Sequence, residues 1–365
     1  MNQTKTIILS ICGVAIVFAL AWGLMGSPRA TTAATIKIGV IAPLTGNIAF
    51  MGEGMKHAAR LAIAEHKGTK HNYELLVEDD GYDTKRTLSA AQKLIGVDNV
   101  RALASLTSPA GNVVSPLAEK HKVIHFGIAS DPHVADGRHN FIHLTPPSEE
   151  VRVFVQELQK RKLHRVALVY QVNQGITVEV TEFDKQIKGT PIQKVADESY
   201  LAGVTDFKTI IAKMAVARPD VYVVLAFSPE LEIFTKQLRA LHPDTPLTSI
   251  ESFENTPDFS LFEGHWYVNA ADTTKEFSAR YEQAYGAHPP FGAANTYDIV
   301  SMIIKSAEEV LGDNVPTNDQ IVAEMMKIKA YPGAVGALTM DKKGIVRSPA
   351  VVREIRNSKP VTIGN

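Results

Sequence analysis

The stretch Ile36–Lys67 reads "IKIGVIAPLTGNIAFMGEGMKHAARLAIAEHK". Its first nine residues are a short apolar run that ends in a Pro/Gly turn. Its second half places apolar residues at helical spacing. A strand that is apolar throughout has both faces buried, so it points to a sheet covered by helices on each side. The same alternation continues along the chain. "YELLVEDD" is a strand, and "KRTLSAAQKLIG" is a helix ending at a Gly cap. "VRALASLT", "NVVSPLAEKH" and "KVIHFGIA" follow as strand, helix and strand. Val151, Phe154, Val155 and Leu158 share one helical face, with Ser148 as N-cap and Glu149 and Glu150 in the first turn. "RVALVY", a helix through Phe207, Ile210, Ile211 and Met214, "DVYVVLAF", a helix through Leu231, Phe234 and Leu238, and "PLTSI" complete a second series. The expected class is α/β, with mainly parallel sheets covered by helices. "GALTMDKKGIVRSPAVVREIRN" differs and reads as a hairpin turning at Asp341-Lys342-Lys343-Gly344.

The chain has 365 residues, enough for about two domains by the usual length prior. It is 45% hydrophobic, which suffices for a sizeable core, and its net charge of -1 offers no basic field for nucleic acid. The first 34 residues stand apart. Lys5 precedes an apolar run from Ile7 to Gly26, followed by "SPRATTAAT". A positive start, an apolar centre and a small-residue end read as an export signal, cleaved near Thr32-Ala33-Ala34. About twenty apolar residues also suffice to span a bilayer as an uncleaved anchor. Both readings put the rest of the chain outside the cytoplasm. Cys12, the single cysteine, lies inside this run, so the exported part has no disulfide or thiolate chemistry.

In open α/β sheets ligands bind beyond the carboxyl ends of the strands. Here those ends carry Thr45-Gly46, Ser108, Ser130, Ser228 and Glu251. Ser108-Pro109 has two readings: a helix cap followed by proline, or a hydroxyl and helix N-terminus that hold an anion. Ser130-Asp131-Pro132 has the same two. Glu251 is either a solvated loop acid or the partner of a ligand ammonium. Phe50, Met51, Tyr170, Phe227 and Phe291 lie at strand ends or loops and could together form an apolar wall. The twelve histidines lack metal-ligand spacing, Gly52-Glu53-Gly54 lacks the third glycine of a dinucleotide fingerprint, and no G-x-S-x-G or other nucleophile–base set is present. No cofactor, metal or enzymatic activity is expected.

The order of segments "IKIGVIAPLTGNIAFMGEGMKHAARLAI", "LLVEDDGYDTKRTLSAAQKLI", "ASLTS", "FGIASDP" and "FSARYEQAYGAHPPFGAANTYDIV" resembles the leucine/isoleucine/valine-type periplasmic binding proteins, type I solute-binding proteins of ABC transporters. The likeness covers Ile36 to Arg356. It implies a type I periplasmic-binding fold: two lobes joined by three hinge crossings that close on a small ligand, which a membrane permease then receives. Carried over, the family's pattern puts residues 35–145 and 271–332 in lobe 1 and residues 146–270 and 333–365 in lobe 2. The crossings fall near Thr145-Pro146-Pro147, near Asn269-Ala270-Ala271 and at the start of "GALTMDKKG".

The resemblance also implies roles. Ser108 matches the serine that bonds the ligand carboxylate. Ser130 matches the position that offers hydroxyl and backbone N–H. Ala129 or Ile128 offers a carbonyl to the ammonium, and Glu251 matches the acid that offsets its charge. The implied ligand is an amino acid or a close relative. The chain departs from the pattern at Met51, where an aromatic is usual and Phe50 precedes it. It also departs at Gln174-Gly175, where Tyr-Gly is common, and at Phe227, where a tyrosine is expected. The positions of a disulfide found in some members are Tyr82 and Thr107.

Overall fold

The computed structural model describes residues 34–270, 273–312 and 314–364. The export segment expected over residues 1–34 lies outside them, apart from Ala34. Among the described residues no helix is long and apolar enough to cross a membrane.

The first sheet holds five parallel strands: β1 (Thr35–Ala42), β2 (Asn72–Asp79), β3 (Ala102–Leu106), β4 (Ile124–Ile128) and β5 (Asn140–Ile142). Their order is β2-β1-β3-β4-β5, with Ile38 opposite both Leu75 and Ala102. Alternate residues of β1 serve the two faces. Ile36, Ile38 and Val40 pack with Met55, Ala58 and Ala62 of α1 (Ala49–Glu65) and with Ile299 and Ile303 of α9 (Ala293–Glu309). Ile41 packs on the other side with Leu94 of α2 (Thr84–Gly96) and Val114 of α3 (Ser108–His121). Residues 275–285 and 318–325 add α8 and α10 to this lobe, burying Phe277 and Ile321.

The second sheet has the order β7-β6-β8-β9, from β6 (Arg165–Gln171), β7 (Gln193–Tyr200), β8 (Val221–Leu225) and β9 (Leu247–Thr248), all parallel. Val166, Leu168 and Val223 meet α4 (Pro147–Lys160) and α5 (Gln174–Gln186) through Phe154 and Phe183. Ala167, Val169 and Val224 meet α6 (Lys208–Val216) and α7 (Glu230–Leu241) through Ile211 and Phe234. An antiparallel trio, β10 (Trp266–Ala270), β14 (Ala350–Arg356) and β15 (Lys359–Gly364), continues this lobe through the bridge Ile250–Val268.

The expected hairpin is present: β12 (Gly336–Met340) pairs with β13 (Val346–Arg347), and β11 (Tyr331–Gly333) lies against β12. Its assignment to lobe 2 needs correction. Ala334, Val335, Leu338 and Val346 are buried in the first lobe's core, and Ile345 bridges to Ile142. Asp298 of α9 anchors the segment by accepting the Ala334 and Val335 N–H groups. Only from Ala350 does the chain run in the second lobe, so the third crossing sits at Ser348, whose hydroxyl is hydrogen-bonded to that of Thr145 in the first crossing.

Candidate functional site

The carboxyl ends of β3 and β4 face helix α5 and the end of β9 across the two lobes. One cavity lies there, lined from the first lobe by Met51, Tyr82, Thr107, Ser108, Ala129, Ser130 and Phe291. From the second lobe come Asn173, Gly175, Ile176, Glu179, Phe227, Glu251 and Asn255. Its volume is ≈ 40 Å³. One water needs roughly 10–15 Å³ by a comparable measure, so the space takes about three water-sized groups.

Ser108 does not cap its helix. It is the first residue of α3, and the N-cap is Thr107, whose side chain makes no capping bond. The Ser108 hydroxyl instead accepts the backbone N–H groups of Ser130 and Asp131, each at 3.1 Å. That ties the two strand ends together. Asp131 is the residue that caps, through the His133 N–H. The Ser148 reading also shifts: α4 begins at Pro147 with Pro146 as its N-cap.

Three non-glycine residues of the lining hold left-handed backbone: Tyr82 (φ 62), Thr107 (φ 78) and Glu251 (φ 55). Such conformations cost about 1–3 kcal/mol each and persist where surroundings impose them, often at binding sites.

The lobes touch through defined bonds. Ser130 Oγ donates to Glu179 Oε1 at 3.3 Å. Asn112 Nδ2 donates to Gln174 Oε1 at 2.9 Å and to Asp131 Oδ2 at 2.8 Å. The Tyr82 and Phe227 rings pack at 5.6 Å, tilted by 47°.

Of the nine residues expected at the site, Met51, Ser108, Ala129, Ser130, Phe227, Glu251 and Phe291 line this cavity. Two do not. Phe50 is one residue away from Met51 on α1 and lines a separate apolar recess with His57, Phe259 and Tyr281. Tyr170 shares its strand face with Leu168 and packs beside the core under α4 and α5. Sequence reasoning passes over Glu179 and Glu150. Glu179 is 4% exposed and lies on the same helical face as Ile176, Val180 and Phe183. An acid at a core position of an amphipathic helix is the signal that marks it. Glu150 reads in sequence as a first-turn acid, which suits Glu149 and its partner Arg152. Glu150 itself is fully buried.

These carboxyls sit close in electrostatic terms. Burial pushes Glu251 up to about 7. Burial, then the charge of Glu251, pushes Glu179 well above the usual carboxylate range. Burial pushes Glu150 up as well, with added repulsion from Glu251 and Glu179. A carboxyl that holds its proton near neutrality can donate or accept, and it ionises when a cation arrives. Behind Glu251, the Glu254 carboxylate accepts from Tyr267 Oη, Asn269 Nδ2 and Arg353, which fixes the turn that carries Glu251. Among the described residues no cluster of His, Cys, Asp or Glu is placed to hold a metal ion.

Residues 35–359 match a family model described as periplasmic binding protein. The chain is 26% identical over 336 residues to Leu/Ile/Val-binding protein homolog 3 of Brucella melitensis, covering 87% of this chain and 90% of that one. It is 25% identical over 332 residues to Leu/Ile/Val-binding protein BraC3 of Rhizobium johnstonii, covering 86% and 90%. Among solved structures it is similar to LivJ of Streptococcus pneumoniae in complex with isoleucine, at TM-score 0.80 and 22% identity over 91% of this chain and 100% of that one. It is equally similar to a solute-binding protein of R. palustris in complex with benzoate, at TM-score 0.81 and 17% identity over 91% and 96%. The two-lobed α/β fold is thus shared by proteins with different ligands. With the match running through both lobes, the chain belongs to the periplasmic binding protein family.

Proposed function

We propose that the chain is an exported solute-binding protein of an ABC transporter. It traps an amino acid or a close amine-bearing relative between its lobes by hinge closure and presents it to a membrane permease. The observation that carries this reading is the interlobe cavity. Ser108 and Ser130 stand on one side and Glu179 and Glu251 on the other, and Ser130 is bonded to Glu179 across the gap. A ligand that touches both lobes favours the closed form by its differential affinity for it. The lining combines the hydroxyls and carboxyls with Met51, Phe227 and Phe291, which suits a small solute with a polar head and an apolar remainder. The place of action is the periplasm or its equivalent.

The test is thermal shift of the purified chain against the common amino acids, amides and short carboxylates, together with mass analysis of any molecule that copurifies. Stabilisation by an amino acid or amine supports the reading. A shift only with an aromatic acid would remove the amine from it.

The apolar run from Ile7 to Gly26 favours a second reading, a membrane-anchored ligand sensor of the same fold with no transport role. The mass of the exported protein separates the two. An intact N-terminus counts against a freely diffusing carrier.

A further inference from the structure

The cavity has a lopsided inventory of charge. Its lining holds two carboxylic acids, Glu179 and Glu251, and no lysine, arginine or histidine. A third acid, Glu150, is fully buried beside Glu251 and the Ala270 amide. Glu251 Oε1 is also shut off from solvent, and the only group facing it as a donor is the carboxyl of Glu150. Unmet buried carboxyl oxygens are costly, and a ligand that brings N–H donors and positive charge relieves that cost.

The groups expected to grip a carboxylate are meanwhile engaged inside the protein. The N–H groups of Ser130 and Asp131 both donate to Ser108 Oγ. The Ser130 hydroxyl donates to Glu179. The Ser252 hydroxyl donates to the Ile250 carbonyl, and Asn255 Nδ2 to the Ala226 carbonyl. The donors left in the lining, among them the Ser108 hydroxyl proton, Asn173 Nδ2 and the Thr107 and Tyr82 hydroxyls, are all neutral, and no cationic side chain stands with them. A zwitterion would set its carboxylate among these acids, whereas a cation without one lets them ionise and pairs with the charge so formed.

We propose that the solute is a compact organic cation (an amine, amidinium or guanidinium) whose N–H donors reach Glu179 and Glu251, and that a carboxylate on the solute contributes no affinity. The proposal rests on the solute-binding reading above and narrows it. Glu150, behind Glu251, adds to the field without touching the solute. Met51, Phe227 and Phe291 cover the apolar remainder.

The experiment is calorimetric titration of the purified full-length chain with matched compounds from which one charged group has been deleted. The set is leucine, isoamylamine and 4-methylpentanoate; arginine and agmatine; benzamidine and benzoate. At least one of the three cations that lack a carboxylate should bind, isoamylamine or agmatine as tightly as its parent amino acid or tighter, and the two anions should not bind. Glu179→Gln and Glu251→Gln should each weaken that cation at least tenfold, while Glu149→Gln at the exposed helix start leaves it unchanged. Circular dichroism and a urea midpoint establish that each variant is folded. If leucine or arginine binds and its decarboxylated partner does not, or if only an anion binds, the cation proposal is overturned and the solute-binding reading stands. If nothing in the set binds, the proposal is overturned. If in addition no small molecule is found in protein isolated from cells, the solute-binding reading falls with it.

Discussion

Ser130, at the end of β4 in the first lobe, is hydrogen-bonded to Glu179, in α5 of the second, at 3.3 Å. This bond exists only when the lobes are together. A hydrogen bond is worth about 0.5–1.5 kcal/mol net, or roughly two- to tenfold in an equilibrium. Ser130→Ala should therefore shift the ligand-free chain toward the open form by that factor. The radius of gyration from small-angle scattering should rise, while the urea midpoint stays within error. An unchanged radius would show that the Asn112–Gln174 bond and the Tyr82–Phe227 contact hold the lobes without it.

Gly175 tests the same closure from the backbone. A Cβ built there would lie 2.9 Å from Ser108 Oγ. The serine cannot turn away freely, because its oxygen accepts the N–H groups of Ser130 and Asp131. Gly175→Ala should keep the lobes apart. Binding of whichever solute the chain takes should weaken at least tenfold, a cost of about 1.4 kcal/mol. Thermal stability of the ligand-free chain should not change, since the clash is between lobes and not within one. A variant that binds normally would mean that the productive closed state is looser than this one.

The buried acids predict a pH dependence. Glu251 titrates near 7 in the folded chain against 4.5 for a free glutamate, and burial raises Glu150 and Glu179 too. Between those values the native state holds more protons than the unfolded one, so stability falls as pH rises. Buried His125 and His143 act at the other end. Burial lowers both to about 4, so stability falls as pH drops below their ordinary value of 6.5. A maximum near pH 5 to 6 is expected. Above it, each buried acid lowers stability by at most about 1.4 kcal/mol for every pH unit of the rise toward pH 8. Urea midpoints across pH 5–8 measure it. Glu251→Gln should make the alkaline limb shallower, while Glu150, Glu179 and Asp298, the last pushed up by burial to about 7, keep the rest of it. A profile that stays flat with Glu251 in place would show that water in the cavity already solvates the acids.

How much of this is legible in the sequence depends on where each signal resides. Local pattern places the central strands, because residues buried on both faces leave an apolar run that needs no partner to be seen, but it passes over β7, an edge strand that is mostly polar and only partly buried. It cannot place the hairpin's lobe. That is decided by Ile345 meeting Ile142 and by Asp298 holding the Ala334 and Val335 amides, contacts across long stretches of chain. Ser108 can be read as a helix cap or as a site residue, and only the path of its hydroxyl decides. Phe50 and Met51 show the limit of one residue: about 100° around a helix sends one ring out of the cavity while its neighbour lines it. Glu179 is hidden by the habit of counting only apolar residues on a helix face. Its position between Ile176 and Phe183 is where leucine is ordinarily found.

Gly52 gives a last prediction, on stability alone. "GEG" at residues 52–54 fits no nucleotide-binding fingerprint, and the structure supplies another reason for its first glycine. A Cβ there would lie 2.1 Å from the Pro43 carbonyl oxygen and 2.5 Å from its carbon. Both are backbone atoms in the turn after β1, so neither can swing aside. Gly52→Ala gains up to about 1 kcal/mol in helix propensity. The overpacking costs about 1–3 kcal/mol or more, because α1 must back away from the sheet that carries the site. The clash should win, and the urea midpoint should fall. Gly96, at the exposed end of α2, is the control: nothing lies within 4 Å of its Cβ position. Gly96→Ala should leave the midpoint unchanged or raise it slightly. If both variants are equally stable, α1 is not seated on Pro43 as tightly as this contact requires, and the position of Met51 in the cavity must be set by α9 instead.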